Sequence, residues 1–156
     1  MLPWRSLALR KQEMSEGRDW NRVRNWNEQI IEEFRTSDGR LGGHFEGAPV
    51  LLLHTAGAKS GLERVNPMMY LDLEGHRYVF ASAGGAGTDP DWYHNLVAHP
   101  EVTVEVGTET YAAIATPVTG EERNRIYAEQ ARRYAQFARY ETMTNRVIPV
   151  VELCRS

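Results

Sequence analysis

A short segment, HTAGAKSGLERVNP (54–67), carries the residue types that hold an anion. Lys59 offers a point charge, Arg64 offers a planar fork of donors, and a glycine between them lets backbone N–H groups approach a ligand closely. A nucleotide-binding P-loop needs glycine directly before the lysine and a helix after it. Here Ala58 precedes Lys59, and residues 64–73 have the pattern of a strand. The segment therefore predicts an anion-holding hairpin turn, and a solvated hairpin tip is the alternative.

A second segment, AGGAGTDPDWYHNL (83–96), is rich in glycine and turn residues. It lacks the G-x-G-x-x-G spacing and the βαβ context of a dinucleotide site. Two interpretations stand: a lid that approaches a ligand closely, or a simple connection. A short helix after the glycines would place Trp92 and Asn95 on one side.

Aromatic residues recur late in the chain, at Tyr127, Tyr134, Phe137 and Tyr140. The last three are three residues apart, which places them along one helical face. Such a row is usually part of a core. Two of these three residues carry hydroxyls, however, so an aromatic wall over a planar ligand is the alternative.

Other common chemistries find little support. His94 and His99 are five residues apart across a helix end, without the cysteine or carboxylate cluster that a metal would need, so we expect no metal. Ser82 stands in ASAGG rather than in a G-x-S-x-G elbow, which argues against a nucleophilic serine.

Composition limits the class of protein. The chain has 156 residues, a net charge of −3, 42% hydrophobic and 25% charged residues, as expected for one globular domain. The sequence contains no basic run interleaved with aromatic residues, so we expect no nucleic-acid binding. The single cysteine excludes an internal disulfide, and no signal peptide or transmembrane run is recognisable. We therefore expect a cytoplasmic protein.

Residues 1–25 form a predicted N-terminal arm in which basic residues alternate with tryptophan and leucine. It is read either as a loosely ordered lead into a helix or as a basic amphipathic segment that touches an anionic membrane from the inner face. Acidic residues dilute its charge. Residues 26–156 contain no internal repeat or linker, and we expect them to form one domain.

The periodicity of the remaining chain predicts an α+β fold. Helical spacing covers about 20–35 and a short stretch at 92–98, and a long helix follows a capping-box pattern at Thr119–Glu122. About six strands are predicted, at 50–55, 64–73, 77–83, 102–106, 109–116 and 147–153. Because most are joined as hairpins, they should pair antiparallel and close into a small barrel with flanking helices.

The chain resembles the deazaflavin-dependent nitroreductase family of actinobacteria. The likeness rests on LGGHFEGAPVLLLHTAGAKSGLERVNPMMYL (41–71), YVFASAGGAGTDPDWYHNLVAHPEVTVEV (78–106) and TNRVIPVVEL (144–153). It implies an antiparallel split β-barrel similar to FMN-binding split barrels, and it implies coenzyme F420, whose tail carries a phosphodiester and glutamates. It also implies hydride transfer from reduced F420 to a quinone or a nitroaromatic compound.

The resemblance also assigns roles to residues, position by position. The implied cofactor contacts are Ala58, Lys59, Ser60, Arg64, Val65, Asn66, Pro67, Met68, Met69, Phe80, Ala81, Ser82, Ala83, Asp91, Trp92, Tyr93, His94, Asn95 and Phe137. The implied substrate wall is formed by Met69, Tyr134, Phe137 and Tyr140. Tyr134 is the expected hydrogen-bond or proton donor to the reduced acceptor, and Ser82 is the second candidate.

The chain departs from the family pattern at four of these positions. Ala58 and Ala83 stand where nitroreductase-type members have basic side chains, and Met69 and Phe137 stand where those members have tyrosine. Tail binding is thus expected to depend more heavily on Lys59 and Arg64. Alternatives to the implied function are an FMN- or haem-binding split barrel and a non-catalytic carrier of a deazaflavin or lipid-like ligand.

Overall fold

The structure, a computed structural model, describes the backbone of residues 16–156 and the side chains of residues 25–156 except His44. The helices are α1 (Glu16–Thr36), α2 (Asp91–Ala98), α3 (Gly120–Arg133) and α4 (Ala135–Thr142). The strands are β1 (Val50–Ala56), β2 (Glu63–Leu73), β3 (His76–Phe80), β4 (Glu101–Val106), β5 (Glu109–Val118) and β6 (Val150–Arg155). Short 3-10 turns cover Gly43–Phe45 and Ala83–Gly85.

The six strands close into an antiparallel barrel in the order β1-β2-β3-β6-β5-β4, which confirms the predicted fold class. The pairing of β1 with β4 completes the ring, so the barrel has no free edge. Its interior is filled by small and branched side chains from five strands, by Met68 of β2, and by Trp92 and Leu96 of α2. α2 therefore packs against the barrel core and is part of it.

The apolar run in β1 is explained by burial on both faces. Leu51 and Leu53 point into the barrel, whereas Val50 and Leu52 point outward against Phe34 of α1. A strand covered on one face only would alternate apolar and polar residues. The four consecutive valine and leucine residues are thus explained by the packing of α1 on the outside of the barrel.

Charged groups attach α1 to the barrel as well. Arg35 donates two hydrogen bonds, of 3.1 and 2.6 Å, to the carboxylate of Glu105 in β4. Nε2 of His54 lies 2.5 Å from the same carboxylate, and its Nδ1 lies 2.8 Å from Glu63. The hydrogen bonds from Arg35, with the one from His54, hold the pKa of Glu105 below its usual value.

A second outer cluster lies under α3 and α4. Phe80 of β3 packs edge-on against Tyr127 and Phe137, with ring centroids 5.8 and 5.6 Å away. The Tyr127 hydroxyl donates a 2.7 Å hydrogen bond to the Phe137 carbonyl, which joins the two helices. Burial raises the pKa of this hydroxyl.

The predicted single late helix is wrong. α3 and α4 are separate helices, because Tyr134 between them is extended (φ −135°, ψ 101°). Thr119 does precede α3, but its side chain makes no capping hydrogen bond, so the predicted capping box is not formed. Helical spacing of apolar residues continues through the break, which is why periodicity alone missed it.

Other element boundaries also shift. β3 ends at Phe80 instead of residue 83, because the left-handed Ala83–Gly85 segment turns the chain (φ 48°, 64° and 88°). β6 begins at Val150, directly after Pro149, instead of residue 147. The predicted tight turn at Glu74–Gly75 is confirmed, with positive φ angles of 57° and 84°.

α1 begins at Glu16, four residues before the predicted start. Residues 1–15 of the predicted N-terminal arm lie outside the described residues. Within the described part of the chain, no helix is both long and apolar enough to cross a membrane.

Candidate functional site

The lysine turn, residues 57–62, is a closed loop between β1 and β2. Gly57 and Leu62 are joined by a 2.8 Å N–H to carbonyl hydrogen bond, and the Gly61 N–H donates to the Gly57 carbonyl at 2.8 Å. Gly61 has φ +72°, which favours glycine. The Ser60 hydroxyl accepts a 3.1 Å bond from the Leu62 N–H, so it braces the turn from within.

Asn95 of α2 holds this turn against the barrel. Its Oδ1 accepts a 2.9 Å hydrogen bond from the Ala58 N–H, and its Nδ2 donates to the Thr55 hydroxyl at 3.2 Å. The side chain is almost fully buried, with 7% of Asn95 exposed. Both ends of the amide are therefore used within the protein, and Asn95 positions the turn, a role that its implied assignment as a cofactor contact did not include.

Two cations at the turn have no acidic partner. Lys59 and Arg64 are exposed, and neither forms an ion pair with any carboxylate among the described side chains. Most arginines elsewhere in the described chain do form such pairs, for example Arg77 with Asp72 at 2.7 Å. Unpaired cations beside a turn with exposed backbone are suited to an anionic ligand.

Register gives the direction of Arg64. It pairs with Thr55 across β1 and β2, and residues directly opposite in an antiparallel ladder lie on the same face. Leu53, two residues before Thr55 in β1 and so on the same face of the strand, lies inside the barrel. Arg64 is thus on the inner face, at the barrel end where Asn95 of α2 contacts Thr55.

The glycine loop, residues 81–89, leads from β3 to α2. Gly85 packs tightly on Met143. A Cβ at this position would lie only 2.9 Å from the Met143 sulfur, so a larger residue would not fit without a shift. The Ser82 hydroxyl makes no hydrogen bond to a described residue, although only 8% of Ser82 is exposed. Arg146 also contacts this loop and was given no role from sequence. Its only signal was its place in the TNRVIPVV motif.

The aromatic residues divide between the core and the surface. Phe137 is 5% exposed, and its ring contacts Phe80 and, at 5.2 Å between centroids, Tyr140. Tyr134 and Tyr140 are partly exposed, and their hydroxyls have no hydrogen-bond partner among the described residues. Burial raises the pKa of Tyr140, so its hydroxyl stays protonated at neutral pH. Phe137 is therefore part of the core, and contact of Tyr134 and Tyr140 with a ligand stays a prediction.

Met69 links the outer clusters. It packs against both the Phe34 cluster under α1 and the Phe137 cluster under α4, and its sulfur lies 3.7 Å from Nε2 of Gln136. The predicted proximity of Met69 to the aromatic wall agrees with these contacts.

Exposure sorts the implied contact residues into three groups. The exposed residues, which are accessible to a ligand, are Ala58, Lys59, Ser60, Arg64, Ala83, Asp91 and His94. Partly exposed are Val65, Asn66, Pro67, Met69, Tyr93, Tyr134 and Tyr140. Buried are Met68, Phe80, Ala81, Ser82, Trp92, Asn95 and Phe137. Direct contacts of all three groups with a cofactor stay predictions.

The turn therefore contacts α2 through Asn95, and the glycine loop, which leads into α2, contacts Met143 at the end of α4. The sequence pattern of the F420H(2)-dependent quinone reductase family matches residues 26–154. The chain belongs to this family. The split-barrel deazaflavin family expected from the sequence is confirmed.

Relatives and solved structures agree with this membership. An F420H(2)-dependent quinone reductase of Mycobacterium tuberculosis is 38% identical over 130 residues, covering 78% of this chain and 85% of the relative. A structure described as an F420-H2 dependent reductase has a TM-score of 0.62 at 36% identity and covers 72% of this chain and 99% of that one. A structure described as a domain-swapped dimer has a TM-score of 0.64 at 33% identity, covering 88% of this chain and 98% of that one.

The fold extends to more distant proteins. The haem storage protein HutZ of Vibrio cholerae shares it, with a TM-score of 0.55 at 18% identity, over 81% of this chain and 87% of that protein. This likeness concerns the barrel alone.

Proposed function

We propose that this chain is an oxidoreductase that takes a hydride from reduced coenzyme F420 and transfers it to a quinone. The cofactor and the reaction class in this proposal come from the family to which residues 26–154 belong. Residues 26–156 would then be the deazaflavin-binding domain. The observation in this chain that carries the proposal is the unpaired state of Lys59 and Arg64 at the lysine turn.

The chemistry of these side chains fits the cofactor. The F420 tail is anionic at its phosphodiester and its glutamates. The exposed ammonium of Lys59 on the turn and the exposed guanidinium of Arg64 at the start of β2 match that charge. Arg64 can grip two oxygens of the phosphodiester, whereas Lys59 contributes a mobile point charge. Because Ala58 and Ala83 add no charge, these two cations supply the positive charge that the implied tail contacts contain.

The remaining implied residues would hold the ring and the acceptor. The deazaflavin supplies a hydride when it is bound. The glycine loop approaches the ring with backbone and small side chains, and α2 closes the barrel end beside it. In this proposal, the Tyr134 hydroxyl donates a hydrogen bond to the oxygen of a quinone as negative charge develops there. Ser82 is the second candidate for this donor.

A nitroaromatic acceptor belongs to the same proposal as a second substrate class. Met69 and Phe137 lack the hydroxyls of the nitroreductase-type pattern, and Phe137 is buried in the core. The proposal therefore favours quinones, which Tyr134 and Tyr140 can meet from the surface.

The experiment begins with titration of the purified chain with F420 and, separately, with FMN, followed by fluorescence. Oxidation of reduced F420 is then measured with menadione and with a nitroaromatic compound. Lys59→Ala and Arg64→Ala should each weaken F420 binding about five- to tenfold, since an exposed charged contact contributes about 1 kcal/mol or slightly more. The effect should shrink at high salt.

Arg40→Ala is the matched control, because Arg40 is exposed, forms no ion pair among the described residues and precedes β1 in the chain, outside the turn. It should bind F420 like the unaltered chain. Normal F420 affinity in both Lys59→Ala and Arg64→Ala would refute the assignment of the turn. Preference for FMN would indicate the alternative split-barrel cofactor, and tight F420 binding without turnover would indicate a carrier.

We also propose contact between the N-terminal arm (1–25) and an anionic membrane on the cytoplasmic side. The support is sequence alone, since Arg5, Arg10 and Lys11 accompany Trp4 and Leu7. Replacing the three cations by glutamine leaves α1 intact and should abolish flotation with phosphatidylglycerol vesicles. Unchanged flotation would refute the contact.

A further inference from the structure

One arginine holds most of the glycine loop. The Arg146 guanidinium donates to the carbonyls of Ala81 at 3.1 Å, Ser82 at 2.9 Å and Ala86 at 2.9 Å. It also donates a 2.6 Å hydrogen bond to the Asp89 carboxylate, which neutralises it. The side chain is 15% exposed. All four acceptors lie between residues 81 and 89, so a single planar group spans the loop from end to end.

The loop conformation requires such support. Ala83, Gly84 and Gly85 have φ angles of 48°, 64° and 88° in succession. Ala83 carries a Cβ, and a side chain in the left-handed region is strained unless its surroundings hold it there. The backbone bonds within the loop are Gly85 N–H to Ser82 and Ala86 N–H to Ala83, at 2.8 and 3.1 Å. Further restraint comes from the Ala81 N–H, which donates to the Pro149 carbonyl at 2.9 Å, from the packing of Gly85 on Met143, and from Arg146.

We propose that Arg146, together with Asp89, is a positioning residue for the deazaflavin ring. It contacts the back of the loop through carbonyl oxygens and sets where Ser82 and Ala83 lie, without touching the cofactor. This inference rests on the proposed function, in which the glycine loop lines the ring. The guanidinium geometry is essential, since lysine keeps the charge but has no rigid fork to reach four acceptors.

The buried carbonyls explain why the effect is large enough to measure. Ala81 is fully buried and Ser82 nearly so, and a buried carbonyl that loses its donor is costly to leave unpaired. A loop with such carbonyls would shift toward water in the absence of the guanidinium. That shift moves Ser82 and Ala83 relative to the ring.

The test compares Arg146→Lys with Arg123→Lys. Arg123 is also a buried arginine, and its Nε and Nη2 donate to a single backbone carbonyl, that of Ile148, at 3.0 and 2.8 Å. Both variants should be less stable than the unaltered chain. Measurements are made at a temperature where circular dichroism shows all proteins folded. Arg146→Lys should raise the F420 dissociation constant and the KM for reduced F420 about tenfold, whereas Arg123→Lys should change them less than about twofold.

Two further readouts separate positioning from general stability. Hydrogen exchange of amides in residues 81–89 should accelerate in Arg146→Lys without any cofactor present, and should stay unchanged in Arg123→Lys. The KM for menadione should stay constant in both. Asp89→Asn is a milder change at a partly exposed residue and should give the same pattern with a smaller effect. It keeps the inference testable if Arg146→Lys does not fold.

The outcomes distinguish this inference from the proposed function. If the unaltered chain fails to bind F420, the proposed function fails, and the positioning role falls with it. If the unaltered chain binds F420 and Arg146→Lys and Asp89→Asn bind it equally well, only the positioning role is refuted. Equal losses of affinity in Arg146→Lys and Arg123→Lys would also refute it, because the effect would then be one of overall stability.

Discussion

Gln130 is a buried amide without a partner, and replacing it with methionine should stabilise the protein. The residue lies on α3, one turn before Tyr134, and is 0% exposed. Neither its Nε2 nor its Oε1 has a hydrogen-bond partner among the described residues. Methionine has a similar length and volume and no strong hydrogen-bonding group, so Gln130→Met should remove the unpaired polar atoms without opening a cavity.

The size of the effect follows from burial. An amide transferred out of water without a hydrogen bond costs about 1–3 kcal/mol by protein mutational data. Gln130→Met should raise the free energy of unfolding by about that amount. In a domain of this size about 1 kcal/mol shifts Tm by about 2–4 °C, which predicts a gain of roughly 2–12 °C.

Urea denaturation and thermal melts followed by circular dichroism measure the change. Gln29→Met is the matched control, because Gln29 is exposed on α1 and the same substitution there should stay within about 0.5 kcal/mol. F420 affinity should be the same in all three proteins. An unfolding free energy that is unchanged or lower in Gln130→Met would show that the amide is hydrogen-bonded in solution, and would refute the reasoning.

Two further predictions concern charge and chemistry. The pKa of Glu105 is lower in the folded chain than its ordinary 4.5, so its hydrogen bonds stabilise the fold above about pH 4.5, and that stability is lost as pH falls through the folded-state pKa. Glu105→Gln should therefore unfold more easily at pH 7 and show a flatter loss of Tm below pH 4.5, whereas exposed Glu101→Gln should follow the unaltered chain. Tyr134→Phe should lower kcat with menadione at least about tenfold while F420 affinity stays constant. An unchanged kcat would show that Tyr134 is not the proton donor.

Local patterns predicted the elements well. The doubly buried run of β1, the Glu74–Gly75 turn and the alternation in β4 and β5 are properties of short stretches, and each appears in the structure close to its predicted bounds. The lysine turn was also recognisable, since one glycine, one lysine and one arginine within a few residues limit what the turn can bind. The wrong predictions concern positions where neighbouring residues do not determine the local backbone structure, as at the Tyr134 break between α3 and α4.

Contacts between distant residues decided the rest of the site. Asn95 reaches Ala58, 37 residues earlier, and Arg146 reaches Asp89, 57 residues earlier. Burial of Phe137 against Phe80, with Tyr134 and Tyr140 left partly exposed, likewise depends on how α4 packs on the barrel.

By itself, then, the sequence determined the hairpin order, the barrel class, the family and the cationic turn, because these depend on periodicity and on motifs within short stretches. Only the tertiary structure decided which of the implied residues are exposed and which are buried. The physical reason is that hydrogen-bond partners and exposure are set when separate segments pack, and Arg146 and Gln130 show this at opposite extremes: one satisfies four acceptors at once, and the other has no partner among the described residues.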